Sequence, residues 1–68
     1  MTEATKKAEY KRYRKDLATS NDTKNYLIGV AWAIAQNNSY TAARKGLQLQ
    51  LLYKAYEDFL QNKEEYDG

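Results

Sequence analysis

The chain has 68 residues, a formal charge of +2 and no Cys, His or Pro. A chain of this length is one domain of marginal stability. Without Cys and His it has no disulfide, no thiolate metal site and neither the commonest general base nor the commonest transition-metal ligand. The first residues are polar and charged, with no apolar signal-peptide core, so a cytoplasmic protein is expected.

The charge is unevenly spread. Residues 1–18 carry Lys6, Lys7, Lys11, Arg12, Arg14 and Lys15 against Glu3, Glu9 and Asp16. Residues 47–68 carry Lys54 and Lys63 against Glu57, Asp58, Glu64, Glu65 and Asp67. A basic front and an acidic tail can attract each other or present two different surfaces. The absence of Pro, the polar turn residues and the scarcity of Gly predict an all-α fold, a small three- to four-helix bundle in one domain over 1–68. Helices are expected at about 3–18, 23–36, 40–45 and 48–63, with 64–68 a frayed tail. Seven tyrosines supply much of the apolar surface. As amphipathic residues they are expected at the rim of the core, with hydroxyls in water.

Residues 3–18 read as the first helix, with Thr2 or Thr5 as cap and Glu3 at the positive end of the dipole. Tyr10, Tyr13 and Leu17 recur at i, i+3 and i+7 and form a narrow apolar stripe. Lys7, Lys11, Arg14 and Lys15 lie beside it. They make either an anion-binding ridge or a solvated face that keeps a small domain soluble. Thr19 to Asp22 is a turn, with Asp22 or Asn21 capping the next helix.

The run Tyr26-Leu27-Ile28-Gly29-Val30-Ala31-Trp32-Ala33-Ile34-Ala35 is the only uninterrupted apolar stretch. It is too short for a membrane span, which needs roughly 20 residues. As a helix it is apolar nearly all round, apart from a small or polar strip of Asn25, Gly29, Ala33 and Gln36. Such a helix is expected at the centre of the fold, buried on most sides, with Trp32 largely covered. Gly29 lowers helix stability by about 1 kcal/mol relative to Ala. Either a neighbour packs close against it and Ala33, or the position is unimportant. If the other helices leave Ile28, Trp32 and Ala35 uncovered, these form an apolar patch of the kind that marks a partner site.

After Asn37-Asn38, which tolerate left-handed geometry, Ser39 is a good N-cap. Residues 40–63 read as one long helix containing Gly46, or as two helices with a turn at Gly46-Leu47. The broken form is favoured, with Gly46 at positive φ. In the final helix Leu52, Ala55, Tyr56 and Phe59 share one face, with Gln50, Lys54, Glu57 and Gln61 opposite.

In the broken form, the stretch Asn38-Ser39-Tyr40-Thr41-Ala42-Ala43-Arg44-Lys45-Gly46-Leu47-Gln48-Leu49-Gln50-Leu51-Leu52-Tyr53-Lys54-Ala55 resembles the helix-turn-helix of Fis-like and homeodomain-like DNA-binding domains. Ala42 takes the small-residue position, Gly46 the turn, and Leu47, Leu52 and Ala55 the apolar positions. The resemblance implies a DNA-binding regulator whose second helix enters the major groove. Gln48, Gln50 and Lys54 would then reach base edges, while Arg44, Lys45 and the ridge on the first helix hold phosphates.

No Gly-rich phosphate loop, metal-ligand cluster or nucleophile–base pair is visible, so neither an enzyme nor a cofactor is expected. The alternative to DNA is a protein partner. Small helical proteins rich in Tyr serve as adaptors or as phage- or mobile-element-encoded inhibitors of a host protein, and Tyr and Trp are favoured interface anchors. A homodimer is compatible with either.

Overall fold

In the computed structural model, residues 1–62 are described and form three α-helices without strands. Helix α1 spans Glu3–Thr19, α2 spans Thr23–Ala35 and α3 spans Ala42–Leu60. Each begins on a side-chain cap. Thr2 accepts from the Thr5 N–H, Asp22 from the Asn25 N–H and Thr41 from the Arg44 N–H, each at 3.1 Å. Each cap satisfies one of the orphan donors at a helix start. The expected cap at Ser39 is therefore corrected to Thr41. Ser39 instead donates its N–H to Asn37 Oδ1 at 2.8 Å, inside the connecting turn. Asn37 and Asn38 do not use left-handed geometry. Among the described residues only Asn62, just past the end of α3, has positive φ (56°). The frayed tail expected at 64–68 lies outside the described residues.

Helix α3 runs unbroken through Gly46, whose φ is not positive. The separate helices expected at 40–45 and 48–63, and the turn between them, are replaced by one helix. The physical reason is that Arg44, Lys45, Leu47, Gln48 and Leu49 are all good helix formers. One Gly among them lowers stability by only about 1 kcal/mol, less than two extra helix ends would. A Cβ added at Gly46 would meet nothing within 4 Å. Gly46→Ala is therefore expected to stabilise the fold by about 0.5–1 kcal/mol, seen as a higher thermal midpoint. A lower midpoint would contradict the unbroken helix.

The central element is α3. It packs against both α1 and α2, and α1 and α2 meet each other less than either meets α3. The buried core is Tyr10, Tyr13 and Leu17 from α1, Ile34 from α2, and Leu51, Leu52 and Ala55 from α3. The α1 stripe is thus the one its periodicity predicts. The expectation that α2 lies at the centre is overturned: Ile34 is its only buried residue.

Tyr40 and Tyr56 are half-buried against the core, as expected of rim residues, but Tyr10 and Tyr13 correct that expectation. Tyr10 and Tyr13 are 0% and 1% exposed, and their hydroxyls are held by protein groups rather than by water. Tyr10 donates to Asp58 Oδ2 at 2.7 Å and accepts from Arg14 at 2.9 Å. The Tyr13 hydroxyl accepts from Gln48 Nε2 at 2.8 Å, and Gln48 Oε1 accepts from Arg44 Nε at 3.1 Å. Tyr26 donates to Asp16 at 2.9 Å and ties α2 to α1. These bonds explain how Gln48 and Asp58, at 1% and 8% exposure, sit among apolar neighbours. Buried polar groups are tolerated when they are paired.

Burial, and then the bond to Asp58, raises the Tyr10 pKa, and burial raises that of Tyr13. Burial and the bond to Asp16 raise that of Tyr26. The ordinary phenol value is about 10. Below it, both folded and unfolded chains keep these protons. Above it, the unfolded chain releases them first, so stability falls as pH rises from about 10 towards the raised folded values. A cooperative loss of helical circular dichroism above pH ~10, coincident with phenolate absorbance, is expected. Phenolate appearing near pH 10 at Tyr10, Tyr13 and Tyr26 with the helices intact would contradict it.

Candidate functional site

The outer surface of α2 is the most unusual feature of the molecule. Leu27, Val30 and Ala31 are half-buried against the core together with Ile34. On the other side Asn25, Ile28, Gly29, Trp32, Ala33, Ala35 and Gln36 are exposed. Ile28 is 65% and Trp32 67% exposed. They are one helical turn apart on the same face, and Ala35 continues the surface a turn further. The burial expected for Trp32 is therefore corrected. The narrow stripe of α1 and the inner face of α3 are spent on each other and on one side of α2, so nothing in the described chain covers its other side. Trp32→Ala is accordingly expected to change the stability of the dilute chain by no more than about 0.5 kcal/mol, the usual range for surface substitutions. Denaturant unfolding of the variant checks this.

No side chain packs against Gly29. A Cβ there would meet nothing within 4 Å, so the close neighbour expected at this position is not supplied by the chain itself. Beside Gly29 and Ala33 runs an open groove of about 320 Å³ between α1 and α2. Tyr13, Val30 and Ile34 line it together with Arg12, Asn37 and Tyr40. Arg12 stays at its edge, paired with Glu9 and stacked over the Tyr13 ring at 4.7 Å.

The residues expected to contact DNA or another anion are not gathered into one surface. Lys11, Arg14 and Lys15 line a second groove of about 550 Å³ with Ala18, Phe59 and Asn62. Lys11 and Lys15 are exposed there, whereas Lys7 and Arg14 are half-buried and Arg14 donates to Tyr10. Arg44 donates to Gln48 and stacks over the Tyr40 ring at 4.9 Å. Lys45 Nζ donates to the Ala35 carbonyl at 3.0 Å, satisfying a group at the C-terminal end of α2. Gln48 is buried and bonded to Tyr13, so its assignment as a base-reading side chain is corrected: its amide is already used inside the core. Gln50 and Lys54 are exposed on the outer face of α3, where Glu57 shares their strip and Lys54 pairs with Asp58 at 3.5 Å. The exposed Tyr53 and Leu60 lie on α3 between Glu57 on one side and the half-buried Tyr56 on the other.

Among the described residues no group of carboxylates could hold a metal ion, and no helix is long and apolar enough to cross a membrane. No protein-family model, curated protein or solved structure matches the chain.

Proposed function

We propose that this chain is a small non-enzymatic binding protein that docks on a protein partner through the outer face of α2. The single observation that carries this reading is the pair Ile28 and Trp32, each about two-thirds exposed on the most apolar helix of the chain. Leaving an indole and a branched aliphatic side chain in water is unfavourable by roughly 1.5–3 kcal/mol each relative to burial. Contact with a partner recovers that free energy, and Trp is the residue most often found at the energetic centre of an interface.

The face carries no ionisable side chain at Asn25, Ile28, Gly29, Trp32, Ala33 or Gln36. This favours a protein surface over nucleic acid, whose affinity comes chiefly from phosphate contacts. The DNA reading has the exposed Lys11 and Lys15 in its support, but it loses Gln48 to the core and the turn at Gly46 to a continuous helix.

The test is affinity purification of the tagged chain from cells that express it, beside Ile28→Lys and Trp32→Ser. Both variants should keep the circular dichroism of the parent. At least one protein retained by the parent and lost from both variants is the expected result. An identical set of retained proteins, together with duplex DNA binding that weakens steeply with salt, would replace this reading with the DNA one.

A further inference from the structure

We propose that the partner of the α2 face is a second copy of this chain, paired antiparallel across a two-fold axis between Val30 and Ala31. The inference rests on the docking reading and names its occupant. The exposed residues Asn25, Gly29, Trp32 and Gln36 follow one another at intervals of four, three and four. That is the spacing of a coiled-coil seam. In an antiparallel pair centred between Val30 and Ala31, Gly29 comes level with Trp32 of the partner, and Asn25 level with Gln36 of the partner. Each large ring meets the position with no side chain, and each amide meets an amide. The pattern is self-complementary, which is what a two-fold interface requires.

Three further observations support a second copy. The space above Gly29 is open to 4 Å, and the groove beside Gly29 and Ala33 leaves room for an incoming indole. The four seam residues are uncharged, with the cations Lys24 and the Glu9-paired Arg12 to either side of them, so two chains of formal charge +2 can meet there without opposing like charges directly. Ile28 lies on one flank of the seam, where this register brings it nearest Ala35 of the other chain. The contact is small. The 13 residues of α2 give a helix about 20 Å long, and two crossing helices of that length cover less than the roughly 800 Å² per partner of a standard interface. The pairing is therefore weak, with a dissociation constant roughly micromolar or higher.

Sedimentation equilibrium from about 1 µM to about 1 mM, with Trp32 emission followed over the same range, tests the pairing. The only Trp of the chain lies in the seam, so its emission reports contact directly. The expected result is a mass that doubles with concentration while the emission moves to the blue. Trp32→Ser and Gly29→Gln should each lose the dimer, the second while gaining thermal stability at low concentration. A monomer at every concentration overturns the dimer alone, since loss of retained proteins in Ile28→Lys tests the docking reading separately. A dimer that survives Trp32→Ser and Gly29→Gln also overturns it, because the contact then lies elsewhere.

Discussion

Replacing Leu52 by Ala is expected to destabilise the fold by about 3 kcal/mol, within the range of 2–5 found for buried Leu→Ala changes. Leu52 is fully buried in the middle of α3, the helix that both others pack against. Its removal opens a cavity between elements that have few other contacts through which to close it. A chain of this length has a total stability of roughly 3–10 kcal/mol, so the variant should lose about a third or more of it. Urea unfolding followed by circular dichroism measures the loss. A midpoint close to the parent's would mean that α3 is not the organising helix. Comparison with Trp32→Ala is informative, because the larger side chain should give the smaller effect. That ordering follows from exposure alone, 0% against 67%.

The second large effect is expected at Gln48, where Ala should cost about 2–3 kcal/mol. The change removes buried volume and leaves the Tyr13 hydroxyl without its 2.8 Å donor. Gln48→Leu alone should also be damaging, but Gln48→Leu with Tyr13→Phe should recover much of the loss. Deleting both partners of a buried hydrogen bond leaves neither group unsatisfied. A double-mutant cycle in denaturant reads the coupling directly. If Gln48 were instead a solvent-facing side chain kept for reading bases, each change would stay within about 0.5 kcal/mol and the cycle would show no coupling.

Local signals in the sequence carried the parts of the fold that local physics decides. Tyr10, Tyr13 and Leu17 are legible as a buried stripe because helical period places them on one side. Thr2 and Asp22 are legible as caps because few residues can satisfy an orphan N–H at a helix start. What failed was decided by residues distant in the chain. Gln48 and Asp58 look like surface residues until Tyr13 and Tyr10, 35 and 48 positions away, supply their hydrogen bonds. Gly46 looks like a turn residue, but its neighbours hold the helix through it.

Trp32 departs from its expected burial for a related reason. Reading an apolar run as core assumes that the chain has enough apolar surface elsewhere to cover it. Here the inner faces of α1 and α3 cover each other and one side of α2, and no more. Of the candidate site, Ile28, Trp32 and Ala35 were legible only as a patch conditional on the other helices leaving them uncovered, beside the strip of Gly29 and Ala33. That the two adjoin on an open surface emerges only from the packing of α2 on α3.

The most direct measurement of the central claim is acrylamide and iodide quenching of Trp32 at a concentration where sedimentation gives the monomer mass. An indole that is 67% exposed should be quenched nearly as strongly as a free tryptophan analogue by both agents, with emission near that of water-exposed indole. Weak quenching and blue emission in the monomer would place Trp32 inside the fold, and would contradict an open binding face on α2.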